Sequence, residues 1–138
     1  MNLGVLHLGV GDQRYMLPLG QIERVMRMAL FTPLDAQDVV GAINLAGTLF
    51  PVVSARRKLG FPENSPSVHQ RLLLLKGNPA FVLWVDEVLD FLEVPLADFV
   101  PIRYQEHSSI EAIIRTPEGS TPVLRPEFFQ PSALWESA

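Results

Sequence analysis

The chain contains no cysteine in its 138 residues. That absence excludes disulfides, thiolate metal sites and cysteine nucleophiles. Its apolar runs are strand-sized, as at residues 72–75, and none approaches the roughly 18 residues that a membrane-spanning helix needs. No charged amino-terminal region followed by an apolar stretch marks a signal peptide. We therefore expect a cytoplasmic protein that does not insert into a membrane.

Basic residues are too few and too scattered for a nucleic-acid-binding surface. The formal net charge is −4; residues 1–69 carry six basic and five acidic side chains, and residues 70–138 carry five basic and ten acidic ones. Neutralisation of phosphates supplies most of the affinity for nucleic acids, and anionic membranes also attract cations. We expect neither to be a partner.

Proline and glycine are plentiful and spread along the whole chain, with 12 prolines and nine glycines. Turn residues at such short spacing favour many short strands over long helices. Apolar segments flank turns at residues 11–12, 77–79 and 116–119, which predicts three hairpins. The expected fold class is mainly β, with eight to ten strands in small barrels or a sandwich. No strict repeat is visible.

Several segments have a less definite local pattern. Residues 20–27 fit either a short helix or a bent extended segment. Residues 54–59 favour a single helical turn that Ser54 caps and Gly60 ends. Pro51 lies within an apolar strand and indicates an edge position or a bulge. Residues 125–138 form either a short closing helix or a loose tail.

Groups that could perform catalysis or hold a metal are scattered. The three histidines, His7, His69 and His107, are far apart, and no zinc-site spacing joins them. Neither a nucleophile elbow nor a phosphate-binding glycine loop is present. We therefore expect no catalytic residue, no metal and no cofactor. The remote alternative is a small β-barrel enzyme, which requires His107 and a carboxylate to meet at a nucleophile.

Carboxylates cluster in residues 86–93, where they alternate with apolar side chains. This alternation is typical of a strand with one solvated face. A solvated face is the main interpretation, and a charged surface for a second partner is the alternative. The residues are Asp86, Glu87, Asp90 and Glu93.

Residues 39–53, VVGAINLAGTLFPVV, resemble the CheW family of bacterial chemotaxis coupling proteins, in which glycine, asparagine and proline have set spacings. RRKLG at residues 56–60 is similar to the basic helical turn that follows in the family. The resemblance fades after about Val94 and covers about two thirds of the chain. It includes three further segments, residues 8–18, 21–25 and 81–89.

The resemblance implies one domain over residues 1–138, made of two intertwined five-stranded SH3-like barrels with one or two short helices. It also implies a non-catalytic adaptor, recruited from the cytoplasm to receptor arrays, that links chemoreceptor cytoplasmic tips to the histidine kinase CheA. In the family a receptor helix lies in a groove between the barrels. Carried over to this sequence, the groove residues are Ile22, Glu23, Arg24, Val25, Asn44, Leu45, Ala46 and Gly47.

Other interpretations of these residues stay open at the level of sequence. Core packing explains Ile22 and Val25 equally well. For Asn44 and Gly47 turn geometry is the better explanation, because both tolerate a left-handed backbone.

Three positions depart from the family pattern. Ala46 replaces an arginine that could bind a carboxylate bidentately, Ser54 replaces an aspartate, and Arg24 lies where many relatives are acidic. A changed charge pattern changes partner specificity. It favours a variant adaptor in a non-flagellar array, for example one that controls pili. The alternative is a degenerate CheW-like domain that has a structural or regulatory role in the array without coupling to receptors.

Overall fold

The computed structural model describes residues 1–36, 38–103 and 108–132, so His107 and residues 133–138 of the expected tail lie outside it. The fold is mainly β, which confirms the prediction from turn spacing. Twelve strands form within the described ranges: β1 Asn2–Val10, β2 Gln13–Pro18, β3 Ile22–Arg27, β4 Thr32–Ala36, β5 Val39–Leu45, β6 Thr48–Ser54, β7 Arg71–Leu75, β8 Phe81–Val85, β9 Glu87–Pro95, β10 Phe99–Pro101, β11 Ile110–Thr116 and β12 Gly119–Leu124.

Helix is sparse in the described part of the chain, where α1 (Ala55–Leu59) is the one α-helix. The Ser54 side chain accepts a hydrogen bond from the Arg57 N–H, and Gly60 ends the helix at φ 83°. Both the cap and the stop were predicted from the sequence. Single turns of 3-10 helix form at Leu19–Gln21, Leu96–Asp98 and Pro126–Phe129.

The strands form two six-stranded sheets. The first has the order β10-β11-β12-β2-β1-β9, and the second has the order β3-β7-β8-β6-β5-β4. Each sheet has one strand more than the resemblance implied, because the short strands β10 and β4 also pair at its edge. All three predicted hairpins form, as β1–β2, β7–β8 and β11–β12.

The two halves of the chain exchange strands. The first half contributes β1 and β2 to the first sheet and β3–β6 to the second, while the second half contributes β7 and β8 to the second sheet and β9–β12 to the first. In each sheet one parallel strand pair joins strands of the first half to strands of the second half. In the first sheet β12 pairs with β2, at Val123 and Met16, and in the second sheet β6 pairs with β8, at Val52 and Val82. The fold is therefore an intertwined duplication, although the sequence shows no strict repeat.

Apolar side chains form a core between the sheets and a core within each sheet. The shared core includes Leu8 and Leu17 from the first sheet. Residues 72–75 of β7 show how one strand supplies two cores: Leu73 and Leu75 belong to the shared core, while Leu72 and Leu74 belong to the core of the second sheet. This alternation shows that β7 is buried on both faces. Val5, Met16, Val94, Ala112, Ile114 and Val123 form the core of the first sheet.

Three of the six prolines within strands lie on edge strands, whereas Pro18, Pro51 and Pro122 lie on interior strands. Pro33, Pro95 and Pro101 lie on β4, β9 and β10, which are edge strands. The expected edge position of Pro51 is wrong, because β6 lies inside the second sheet. The pairing of β6 with β8 starts only at Val52, so Pro51 still has a paired strand on one side alone. For Pro51 and the three edge prolines, the missing N–H thus costs little ladder hydrogen bonding.

Candidate partner-binding surfaces

The β5–β6 hairpin turn is built from residues in the predicted groove. Leu45 pairs with Thr48, which leaves Ala46 and Gly47 as a two-residue turn. Their φ values are 53° and 90°, and a type I′ turn requires positive φ at both positions. The Asn44 side-chain oxygen accepts a hydrogen bond from the Gly47 N–H at 2.9 Å. Turn geometry therefore explains Asn44 and Gly47.

The backbone conformation at position 46 of this turn is unfavourable for alanine. A side chain in the left-handed region costs roughly 1 kcal/mol, which glycine avoids and asparagine reduces. Ala46 is nevertheless exposed, as are Asn44 and Gly47. The turn thus presents its backbone and short side chains to solvent.

The other predicted residues lie on β3, which is an edge strand of the second sheet. Ile22 and Val25 are half-buried and pack against the core between the sheets. Glu23 and Arg24 are exposed, and a register shift lies between Ile22 and Arg24. Core packing is therefore part of the role of both apolar residues, and Glu23 and Arg24 are an exposed charged pair on β3.

The predicted groove residues fall into two groups, residues 22–25 on β3 and residues 44–47 at the β5–β6 hairpin, and these groups lie apart in the order of the second sheet. Strands β7, β8 and β6 separate β3 from β5. Leu45 packs against the core within the second sheet, as does Met26 of β3, whereas Ile22 packs against the core between the sheets. The eight residues thus form a β3 group and a hairpin group.

Leu49 was not among the groove residues predicted from the sequence, but in the structure it lies beside the hairpin group. It pairs directly with Asn44 across β5 and β6, and 57% of it is exposed. Its neighbour Phe50 packs into the core of the second sheet. Alternation along β6 could have shown this, because a strand that turns Phe50 inward turns Leu49 outward. We call Asn44, Ala46, Gly47 and Leu49 the hairpin surface.

The four clustered carboxylates of residues 86–93 differ in exposure, because one of them is enclosed and three face solvent. Asp86 is mostly enclosed: its carboxylate pairs with Arg56 at 2.9 Å and accepts a hydrogen bond from the Gly11 N–H. Glu87, Asp90 and Glu93 are exposed on β9, an edge strand of the first sheet. Phe91, which was not among the predicted site residues, lies among them in β9 and is 57% exposed. We call these three carboxylates and Phe91 the acidic edge.

Titratable groups elsewhere in the described ranges show no metal site, and two of them have raised pKa values. Among the described residues no group of three histidine, cysteine or carboxylate side chains has the geometry to hold a metal ion. Burial, and secondarily the Asp12 carboxylate, raise the pKa of Tyr15. Burial and then the Glu127 carboxylate raise the pKa of Glu111, against the opposing effect of Arg125. Tyr15 and Glu111 lie outside the hairpin surface and the acidic edge.

These features define a β-sheet protein with two intertwined halves and two separate exposed surfaces. The chain belongs to the CheW-like domain family, whose family model matches residues 4–128. The match extends well beyond Val94, where the resemblance in the sequence faded.

Two curated relatives match about two thirds of the chain. The chemotaxis protein CheW of Helicobacter pylori (strain ATCC 700392 / 26695) is 25% identical over 96 residues, 67% of this chain and 58% of the relative. The chemotaxis protein CheW of Rhizobium meliloti (strain 1021) is 30% identical over 95 residues, 67% of this chain and 61% of the relative. The match thus spans about three fifths of each relative.

A solved structure shares the fold. The crystal structure of the scaffolding protein TtCheW from Thermoanaerobacter tengcongensis superposes with a TM-score of 0.80 at 18% identity, and the alignment covers 91% of this chain and 90% of that one. This agreement fits the expected SH3-like organisation of the two sheets. Among the residues that the structure describes, no helix has the length and apolar character needed to cross a bilayer.

Proposed function

We propose that the chain is a non-catalytic adaptor of bacterial chemosensory signalling, which links chemoreceptor cytoplasmic tips to a CheA-type histidine kinase. The observation that carries this proposal is the family match over residues 4–128, together with two relatives that are chemotaxis CheW proteins. The adaptor works in the cytoplasm, where receptor arrays recruit it. Its function is contact between proteins and requires no bond to be made or broken.

The hairpin surface is the proposed centre of receptor binding. An amphipathic helix binds through an apolar anchor with polar groups beside it. Leu49 supplies an exposed apolar side chain, and Asn44 lies directly opposite it. The Asn44 amide N–H groups are available to a receptor carbonyl, because its oxygen is the atom that accepts the Gly47 N–H. Glu23 and Arg24 on β3, which three strands separate from β5 in the sheet order, are a second and distinct part of the proposed surface.

The charge pattern supports a receptor different from that of a generic coupling protein. Arg24 is exposed where many relatives are acidic, and exposed Ala46 takes the place of an arginine. Opposite charges facing each other favour one partner, and like charges reject others. We therefore propose an array with a non-flagellar output, such as the control of pili.

A second candidate is a CheW-like component that occupies the array without coupling to receptors. Ala46 favours it, because the long cation able to bind a receptor carboxylate is missing. The two candidates differ in one measurable property, which is affinity for the receptor tip.

Titration of the chain with a soluble helical hairpin of the cognate receptor tip, and separately with the cognate CheA, tests both candidates. Saturable binding to both partners supports the adaptor. Binding to CheA alone supports the uncoupled array component. Binding to neither contradicts the proposal, provided that circular dichroism shows the chain to be folded.

A further inference from the structure

The duplicated fold contains two equivalent junctions, in each of which a hairpin turn meets the start of an edge strand and a short helix. The second sheet, read from β4 to β3, repeats the order of the first from β10 to β9. The first junction joins the β1–β2 turn, the start of β9 and helix α1, which follows β6. The second joins the β7–β8 turn, the start of β3 and the 3-10 turn Pro126–Phe129, which follows β12. Residues of the two junctions therefore correspond.

One backbone hydrogen bond occurs in both junctions. The Asp86 N–H, just before β9, donates to the Gly9 carbonyl near the end of β1. The Lys76 N–H, just after β7, donates to the Gln21 carbonyl just before β3. Both bonds connect the start of an edge strand to the end of its neighbour, so Asp86 and Gln21 hold equivalent places.

The two hairpin turns are also covered in the same way. A Cβ atom on Gly11 would meet the ring of Phe61, which follows α1. A Cβ atom on Gly77 would meet the side-chain oxygen of Gln130, which follows the 3-10 turn. The covering side chain is an aromatic ring in the first junction and a polar amide in the second.

An ion pair closes the first junction alone. Arg56, the second residue of α1, pairs with Asp86 at 2.9 Å, and both side chains are mostly buried. In the second junction Glu127, the second residue of the 3-10 turn, takes the place of Arg56, and Gln21 takes the place of Asp86. A carboxylate and a neutral amide cannot form an ion pair, so the second junction lacks the contact that closes the first.

A cavity of about 260 Å³ lies in the second junction. We call it the open junction; its lining residues are Gln21, Lys76, Gly77, Pro126, Glu127 and Gln130. Lys76 and Glu127 are exposed, and within the described ranges they form an ion pair neither with each other nor with another residue. The Gln130 amide N–H donates to the Pro79 carbonyl, which leaves the Gln130 side-chain oxygen free to accept. One cavity thus has an unpaired cation, an unpaired anion and amide groups in its lining.

We propose that the open junction binds a small zwitterion that carries an ammonium and a carboxylate, as an amino acid does. The ammonium pairs with Glu127 and donates to the Gln130 oxygen, while the carboxylate pairs with Lys76 and accepts from the Gln21 amide. The ligand supplies in one molecule the two opposite charges that the ion pair supplies in the first junction. A volume of about 260 Å³ lies below the roughly 300–1,000 Å³ of pockets for drug-sized ligands, so it suits a molecule with few atoms.

Binding of the zwitterion requires no receptor and no kinase. It uses no residue of the hairpin surface and neither Glu23 nor Arg24, so it can fail while receptor binding is retained. Leu49→Asp, which removes the apolar anchor proposed for the receptor, should leave the affinity for the zwitterion unchanged. The two proposals are therefore tested separately.

NMR titration of the isotope-labelled chain, followed through its backbone amide signals, tests the proposal. The probes are glycine, β-alanine and γ-aminobutyrate, which hold the two charges at increasing separations. At least one of them should shift the signals of Lys76, Gly77 and Gln130 saturably, with a Kd in the millimolar range that suits so few atoms. Absence of saturation with all three probes up to about 0.1 M overturns the proposal.

Acetate and methylammonium each carry one of the two charges and show whether both are recognised together. Each should bind at least about threefold more weakly than the best zwitterion, because it makes one charged contact in place of two. Equal affinity of a single-charge probe and the zwitterion overturns the proposal. This comparison uses the natural chain, so it does not depend on the folding of a variant.

Lys76→Gln and Glu127→Gln identify the two contacts. Each should weaken binding of the zwitterion at least about threefold, and both side chains are exposed, so neither change disturbs a core. Lys76→Gln should weaken acetate and not methylammonium, and Glu127→Gln should do the reverse. Glu118→Gln, the same change at the exposed turn between β11 and β12, is the matched control and should keep the affinity within about 1.5-fold. Affinity that survives both changes, in chains that circular dichroism shows to be folded, overturns the proposal.

Discussion

The Arg56 guanidinium Nε lies 2.9 Å from each carboxylate oxygen of Asp86, and this pair joins three parts of the fold. Arg56 belongs to α1, and Asp86 links β8 to β9. Asp86 also accepts a hydrogen bond from Gly11 in the β1–β2 turn, and Arg56 donates to the Pro62 carbonyl. Only 17% and 18% of the two side chains are exposed, so solvent screens the pair poorly.

Asp86→Ala is expected to lower the free energy of unfolding by about 2–4 kcal/mol, because it leaves both the Arg56 guanidinium and the Gly11 N–H without their acceptor. Urea denaturation measures this change. Glu63→Ala is the control: its pair with Arg57 is 40% and 50% exposed and 2.8 Å long. That variant should lose less than about 1 kcal/mol. Equal losses in both variants contradict a special role for Asp86.

Ala46→Gly should stabilise the fold by about 0.5–1 kcal/mol, because glycine adopts φ 53° without a steric penalty. The gain is smaller than the full penalty, since glycine also makes the unfolded chain more flexible. Thermal and urea unfolding measure it. Ala46→Val is the companion variant and should destabilise, as a β-branched residue fits this backbone poorly. A loss of stability with glycine contradicts the turn assignment.

Ala46→Arg should strengthen binding of the receptor tip by roughly threefold to tenfold, since it restores a cation that can reach a receptor carboxylate. Isothermal titration with the soluble receptor hairpin measures the affinity. Thr48→Arg is the control, because Thr48 is exposed beside the turn and adds the same charge. Equal gains in both variants indicate a general charge effect, and no gain or a loss with Ala46→Arg contradicts the placement of the receptor.

Leu49→Asp should weaken receptor binding by at least about tenfold, because it replaces an exposed apolar anchor with a charge that must be desolvated. The matched control is Val68→Asp, which also introduces aspartate at an exposed apolar residue, in the loop before β7. That change should leave receptor affinity within about twofold. Receptor binding that is unaffected by Leu49→Asp removes the hairpin surface from the proposed function.

Glu111→Gln should increase stability at neutral pH. The pKa of Glu111 is raised in the folded chain, mainly by burial, so the charged form is the unfavourable one. Folded Glu111 therefore binds protons more strongly than unfolded Glu111, and the stability of the natural chain falls as the pH rises from the unfolded pKa of about 4.5 through the raised folded value.

The Gln variant does not lose stability in this way, because its side chain does not ionise. The difference in the free energy of unfolding between the two proteins should therefore grow as the pH rises from the unfolded to the folded pKa of Glu111, and then become constant. Urea denaturation between about pH 4 and 8 measures it, and Glu118→Gln at the exposed turn supplies the control. A difference that shrinks as the pH rises contradicts the direction of the pKa shift.

Local features of the fold were predictable where a few adjacent residues determine them. Ser54 and Gly60 bound α1 as expected, and the turn at residues 77–79 joins a hairpin. Residues 20–27 had an ambiguous pattern and form a 3-10 turn followed by β3. The ambiguity arose because Ile22, Val25 and Met26 match a helical face. In the structure a register shift after Ile22 puts Ile22 and Val25 on the same core, while Met26 packs against another.

The binding surfaces were less predictable than the strands. Asp86 and Glu87 are adjacent carboxylates, yet one is held by Arg56 from 30 residues away and the other is exposed. Leu49 and Phe50 are adjacent apolar residues, yet only Phe50 packs into a core. Sequence spacing does not carry this information, because distant elements decide which side of each strand is covered.

The sequence alone determined the fold class, the hairpins and the single capped helix, because proline, glycine and alternating apolar residues act over a few positions. It also carried the family resemblance, through residues 39–53. Only the tertiary structure decided that the halves exchange strands and that β3 and β9 become equivalent edge strands. Pairing of this kind joins residues far apart in the chain, such as Met16 and Val123, and it depends on the burial of all three cores together.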